Sequence, residues 1–488
     1  MPIPSGRPLL GERDAVFRGT QTNSIELMKT FTPSRLLSLV LLCLLLVTGC
    51  RSSRSKSSAP ELRISTSPDP QSEVPVLPSS PTIQELVRFA ALNSPTVKAS
   101  FERWQAAESR IAVASALPDP KVTYANYIRE VETRVGPQNQ RFGLSQTLPT
   151  AGKRRLRGAR AAASAEALKL RYEGEIASLV YQVKEAYFER VYIEYALRIA
   201  QENLDLLTRL ESVGQAGVRV GKEASGVVEA QLAMGQIEED VRRLIELRTP
   251  LSAALNALLG REAMAPLEIP SGIEFRELPE TAMAAIEQSG LKENEELRAL
   301  EKAEDVGDIE VRLAEKEYWP DLTVGIDYWD TGEARSPGVM ESGKDPVMLM
   351  ASFNLPIWFH KIRGKIESAK AERESLIAKR QGRELDLQSQ FQMSLFKLRE
   401  THRRAELYEK DLMPLAQSAL ETAEIAYTSG RAGFAELVDA QRRLLDLQLS
   451  QRRAQIDREI EWARLEKLRG NPIAPESNSA LVEKEAKQ

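Results

Sequence analysis

Few side chains in this sequence could do covalent chemistry. Its 488 residues include two histidines, His360 and His402, and two cysteines, Cys43 and Cys50. No serine–histidine–aspartate order, phosphate loop or metal-ligand cluster accompanies them, so we expect no enzyme, no cofactor and no metal site. Carboxylates are the more informative groups. Glu436 and Asp439 follow a glycine turn at Gly430 and Gly433, and Glu229 holds the matching place after Gly221. Taken singly, these are solvated groups near a helix N-terminus, where acid is favoured. The surrounding elements decide what more they could do.

Charged residues make up 28% and aromatics 6% of the chain, which favours long solvated helices over compact β-domains. The net charge of −4 supplies no basic field for nucleic acid. Near the N-terminus, Met28-Lys29 and Arg35 precede an apolar run from Leu36 to Val47, too short to span a bilayer. The run ends in Val47-Thr48-Gly49-Cys50, which resembles a bacterial lipobox, so lipidation is expected at Cys50. Residues 1–27 have no role in such a signal, and Met28 is the expected start. Arg51 is not the aspartate that favours inner-membrane retention, so the resemblance points to the outer membrane. Acyl chains there contribute about 0.8 kcal/mol per buried CH₂.

Beyond a Ser- and Pro-rich tether, the sequence says the same thing twice. Pro118-Asp119 matches Pro320-Asp321, and Leu148-Pro149 matches Leu355-Pro356. Gly158 matches Gly364, and Ala230-Gln231 matches Ala440-Gln441. The spacing is far longer than solenoid periods of about 20–50 residues, so one large module is used twice.

Each module begins its distinctive part with period-two alternation. Phe142, Leu144 and Leu148 alternate with Arg141, Ser145 and Thr147, while Leu322, Val324, Ile326 and Tyr328 alternate with Thr323, Gly325 and Asp327. These are strands with one apolar face, each of about 8–11 residues, near the length of a tilted membrane strand. Gly136-Pro137 is read as part of a polar loop between the first two strands. Each pair ends at Leu-Pro, and proline suits the first turn of the helix that follows. The long helices are predicted at about 150–220 and 357–429, with a kink at Pro414, and the return helices at about 223–259 and 434–469. An earlier helical stretch, Thr82 to Ala116, should break at Pro95. Return helices this short cannot reach back to the strands.

Four strands cannot close in a membrane, and open edges in hydrocarbon leave backbone groups unsatisfied. The chain must therefore share one barrel with other copies; three chains give about twelve strands. At this point it resembles the outer-membrane efflux proteins of the TolC type over about residues 82–470. The resemblance rests on the two strand–strand–Pro–long-helix modules, the Leu-Pro strand ends, and the spacing from Gly430 to Asp439-Ala440. The stretch GLSQTLPTAGKRRLRG is most similar to the heavy-metal and cation efflux branch.

That resemblance implies a mainly α fold with a small β-barrel portion, as a homotrimer with a 12-stranded barrel continued by a helical tube. It implies a passive exit duct that docks on a periplasmic adaptor and an inner-membrane pump. Glu436, Asp439 and Glu229 become candidate gate residues. Gly221, Gly430, Arg219 and Arg431 become candidate adaptor contacts, although the glycines equally serve to close their turns. The expected divisions are a signal at 1–49, a tether at 50–81, repeats at 82–275 and 276–470, and a tail at 471–488. Arg154, Arg155 and Arg157 would lie near headgroups or solvent. Tyr124, Tyr127, Tyr328 and Trp329 suit an interfacial girdle or packing between protomers. Trp358, Phe359 and His360 are expected to pack at the strand–helix junction. The rival readings are a periplasmic adaptor and a coiled-coil scaffold lipoprotein.

Overall fold

The computed structural model describes residues 77–470, apart from 79, 220, 222, 223, 271, 274, 276, 277 and 279. The signal segment, Cys50, nearly all of the tether and the tail from 471 lie outside the described residues. No described helix is long and apolar enough to cross a membrane.

Two short helices come first: α1, Ile83–Asn93, and α2, Pro95–Ser115. Thr82 caps α1 reciprocally with Glu85, and Pro95 stands at the first position of α2 after Ser94. Strands β1, Lys121–Thr133, and β2, Gly136–Leu148, form a hairpin that leads into α3, Lys153–Arg219. Helix α4, Ser225–Leu258, returns from it. The second copy repeats this order: α5, Glu280–Ser289; α6, Glu295–Glu315; β3, Leu322–Thr331; β4, Val347–Phe353; α7, Phe359–Leu407; α8, Met413–Thr428; and α9, Phe434–Arg469. The pair α5–α6, unassigned in the sequence reading, completes the repeat. Gly136-Pro137 belongs to strand β2 rather than to a loop, and β1 carries a bulge between Asn126 and Val131.

Helix α3 has 67 residues, about 100 Å at 1.5 Å per residue. Its partner in the second copy is interrupted. A π-helical turn, Tyr408–Leu412, joins α7 to α8, and Pro414 stands at the start of α8. The hydrogen-bond ladder therefore widens directly before the proline that lacks a donor, at the place where the sequence predicts the kink.

The short return helices are continued by other helices. The last turn of α4 ends at Gly260, where φ is +68° and an added Cβ would lie 2.6 Å from the Asn93 carbonyl oxygen, just before α2. In the second copy α9 ends at Gly470, φ +79°, against the Glu293 carbonyl before α6. Asn294 caps α6, accepting from the Leu297 N–H at 3.1 Å, and donates to the Leu468 carbonyl at 2.9 Å. Each return helix thus hands over end-on to a helix that packs along the strand-proximal part of α3 or α7.

The sheet runs β1-β2-β3-β4, antiparallel throughout. One face carries Val122, Tyr124, Phe142, Leu144, Val324, Ile326, Leu349 and Phe353, all well exposed, with Leu349 at 84%. The described core lies among the helices instead. One cluster joins α1, α3, α4 and α9 around Val183, Val191, Leu255 and Ile456; another fills the tips around Leu207, Ala230 and Leu437. Among the described residues, then, burial stabilises the helical part, while the sheet presents apolar surface outward.

Candidate functional site at the helical tips

The long helices end in turns that glycine makes possible. At the second tip the Gly430 N–H donates to the Tyr427 carbonyl at 3.0 Å and the Arg431 N–H to the Ala426 carbonyl at 2.8 Å. This is a Schellman arrangement with Gly430 at φ +73°. Gly221 adopts φ +92° at the first tip and donates to the Val218 carbonyl at 3.0 Å. An added Cβ at either glycine would meet no atom within 4 Å, so the turns are exposed and open. Arg219 and Arg431 are also exposed, and Arg431 Nε donates to Ser429 Oγ at 2.9 Å.

After the turn, α9 buries Phe434, Leu437, Val438 and Gln441 and leaves Glu436 and Asp439 exposed. In α4, Gly226, Ala230 and Ala233 are buried and Glu229 is exposed. The carboxylates therefore project away from the tip core. Glu436 and Asp439 lie in the first two turns of α9, where the helix N-terminus favours negative charge.

Gly226 occupies the place that corresponds to Glu436, and packing explains the difference. An added Cβ at Gly226 would lie 2.6 Å from Phe434 Cβ and 2.9 Å from the Ala435 nitrogen. Gly214 lines the other side of the same socket, with its virtual Cβ 3.1 Å from the Phe434 ring. Phe434 also meets Tyr427 at a centroid distance of 5.2 Å. One tip thus supplies an aromatic plug and the other a glycine socket. The sequence comparison missed this role because the contact spans two distant turns.

Above the tip, polar groups pin α3 to α9. Asn203 donates to Gln448 at 3.0 Å and accepts from Gln441, with Asn203 and Gln441 both buried. Further along α9, Arg453 holds Glu189 through two bonds of 2.7 and 2.8 Å and also pairs with Asp457. Glu461, buried on α9, takes Arg464 at 3.1 Å. Burial raises its pKa despite that cation and the Lys397 ammonium nearby.

At the other end, Lys153 is buried where β2 turns into α3 and bonds Asp321 at 2.9 Å and the Trp319 carbonyl at 2.7 Å. The Thr150 N–H also donates to Asp321. The Pro320-Asp321 half of the repeated motif therefore pins the start of α3. Arg154 and Arg155 stay exposed. The aromatic set divides by strand parity: Tyr124 and Tyr328 flank Phe142 on the apolar face, whereas Trp329 lies on the other face beneath Arg141, 5.1 Å from its guanidinium. Phe359 stacks on Tyr318 at 6.3 Å and Trp358 meets His360 at 5.9 Å. Trp358, Phe359 and His360 thus make ring contacts at the strand–helix junction while keeping exposed surface. Among the described residues no group of three or more His, Cys, Asp or Glu is placed to hold a metal ion.

A sheet apolar on one face, joined to a helix of about 100 Å and to helical tips that expose carboxylates, is the architecture of a channel protein. The chain belongs to the outer membrane efflux protein family, whose model matches residues 86–261 and 287–471. A relative in Cupriavidus metallidurans, the cobalt-zinc-cadmium resistance protein CzcC, is 23% identical over 399 residues, covering 80% of this chain and 91% of that protein. Solved structures share the fold. The outer membrane protein VceC of Vibrio cholerae matches with a TM-score of 0.66 at 17% identity, covering 80% of this chain and 96% of that one. CusC matches at 0.68 and 14%, covering 80% and 92%. The open-state MtrE channel of Neisseria gonorrhoeae matches at 0.66 and 18%, covering 80% and 89%.

Proposed function

We propose that this chain is the outer-membrane exit duct of a tripartite efflux system, a passive homotrimer that takes substrate from an inner-membrane pump through a periplasmic adaptor. The observation that carries this reading is the four-stranded sheet, apolar on one face and with strands β1 and β4 at its edges. Such a sheet is compatible with a membrane only when other copies complete it. Lipidation at Cys50 would add a second hold on the outer membrane. The similarity to a cobalt-zinc-cadmium resistance protein supports divalent metal cations as the substrate class.

In this reading Glu436, Asp439 and Glu229 ring the periplasmic mouth. Their mutual repulsion and attraction for cations form the first barrier to flow. Gly221, Gly430, Arg219 and Arg431 offer the exposed turn surface to the adaptor, and a bulky residue at Gly430 should leave trimer amounts normal while abolishing metal resistance. The direct test is single-channel recording in planar bilayers. The wild type should run as a trimer in SDS and conduct, and Asp439→Ala should raise its conductance. Unchanged conductance would overturn the gate assignment. A wild-type monomer without conductance would overturn the duct itself.

A further inference from the structure

The internal repeat determines more than the number of strands. Pro118 lies 202 residues before Pro320 (320 − 118), and Leu148 lies 207 before Leu355 (355 − 148). The hairpins obey these two offsets. Lys121 stands opposite Ser145 in the first, and Thr323 opposite Ser352 in the second. Likewise Tyr124 faces Phe142, and Ile326 faces Leu349. The seam between the repeats, β2 with β3, therefore serves as a template for the remaining seam, β4 with β1 of another copy. Within the chain Ser145 faces Gly325 and Gln146 faces Val324. Shifted by the same offsets, these pairs become Ser352 with Thr123 and Phe353 with Val122.

In the trimeric barrel β4 of one copy meets β1 of the next; we propose that this seam takes the register above, and that apolar side chains close it where an ion pair closes the internal one. The proposal rests on the trimeric reading above and adds the register and side-chain chemistry of its barrel seam.

Side-chain chemistry supports the assignment. Inside the chain Arg141 grips Asp327 through bonds of 3.1 and 2.9 Å and lies over Trp329. Asp327 is buried above Gly143, whose lack of a side chain leaves room for its carboxylate. In the shifted seam Met348 replaces Arg141, Ala125 replaces Asp327, Tyr127 replaces Trp329 and Met350 replaces Gly143. The ion pair and the glycine beside it become apolar together, while Gly325, opposite Ser145, becomes Thr123. Two flexible thioethers then meet a small residue and a ring, a combination that packs well and gains from sulfur–aromatic contact. On the outward face Ala351 meets Tyr124 and Phe353 meets Val122, small against large in both pairs. A slip of one residue would turn every side chain of the edge to the wrong face.

Paired cysteines in the full-length chain test the register in native membranes. Residues directly opposite in an antiparallel pair have Cα atoms about 4.5–5.5 Å apart, within disulfide reach. Hydrogen-bonded and non-hydrogen-bonded pairs alternate, so two neighbouring pairs sample both kinds: Ser352→Cys with Thr123→Cys, and Ala351→Cys with Tyr124→Cys. At least one should give covalent multimers on non-reducing gels. Ser352→Cys with Lys121→Cys or with Ala125→Cys, displaced by two residues, should give several-fold less. Stronger cross-linking in a displaced pair, or none in any pair, with the trimer otherwise intact, would overturn the register. Absence of a trimer in the wild type would instead overturn the duct reading. The apolar seam has its own readout: Ala125→Asp should lower the temperature at which the trimer dissociates, and an unchanged temperature would overturn that part.

Discussion

At the first tip Gly226 is pressed against Phe434 and Ala435 of the second tip, while the corresponding Glu436 stands in solvent. Farther along the same helices the copies coincide again: Gly260 meets the carbonyl of Asn93, and Gly470 that of Glu293. The repeat is thus symmetric where helices hand over end-on and asymmetric where the tips interlock. The difference lies in packing: any side chain at 226 would meet Phe434 and the Ala435 nitrogen, whereas Glu436 meets no such obstacle.

The hand-over is the place where a substitution should do most harm, equally in both copies. Gly260→Ala and Gly470→Ala each force an L-residue into positive φ and drive a Cβ into a carbonyl. The strain and overpacking together should cost about 2–5 kcal/mol. Thermal unfolding of each variant checks this, and a large effect in one copy alone would break the symmetry.

Gly226→Glu comes next. If the asymmetry is steric, restoring the acid should dislodge Phe434 and destabilise the tips by about 2 kcal/mol. Limited proteolysis near the turns should reveal the loosening. A stable variant with lower conductance would show instead that the first tip has room for a second acidic ring. Glu229→Ala offers the milder comparison: it removes the one acid the first copy retains, and should raise conductance less than Asp439→Ala does.

Much of this architecture was legible in the sequence because periodicity and burial coincide in it. The alternation around Phe142 and Ile326 marks membrane-type strands, and the proline-free stretch after Thr150 marks α3. The pair α5–α6 was equally available, since Asn294 and Leu297 stand where Ser94 and Val97 do, about 200 residues apart. It carries neither the Leu-Pro ends nor the strand alternation that mark the repeat elsewhere. Two features lay beyond one-dimensional reading. The π-turn at Tyr408–Leu412 has no residue signature apart from Pro414 downstream. The socket for Phe434 depends on two turns that meet only after folding. For the tip carboxylates the sequence supplied position and the structure supplied exposure; their role as a gate is a matter for conductance.

The smallest expected effect tests the copies along their return helices. Glu461 on α9 stands where α4 has Leu251, by the offset of Ala440-Gln441 from Ala230-Gln231. Its carboxyl is buried, and burial raises its pKa from the ordinary glutamate value. A carboxyl that binds its proton more tightly when folded weakens the fold once ionised, so stability should rise as pH falls through its folded pKa toward the unfolded one. Glu461→Gln should therefore stabilise at neutral pH by less than about 1 kcal/mol, since Lys397 and Arg464 already offset part of the burial. The gain should shrink on acidification, as the native carboxyl becomes neutral too. Arg464 would keep Tyr181, whose hydroxyl it reaches at 2.8 and 3.1 Å, so the substitution strands no cation. Unfolding temperatures of the two proteins at pH 7 and pH 5 decide the matter. A loss at both values would mean that the charge holds α9 against α7, and that the second copy needs an acid where the first manages with leucine.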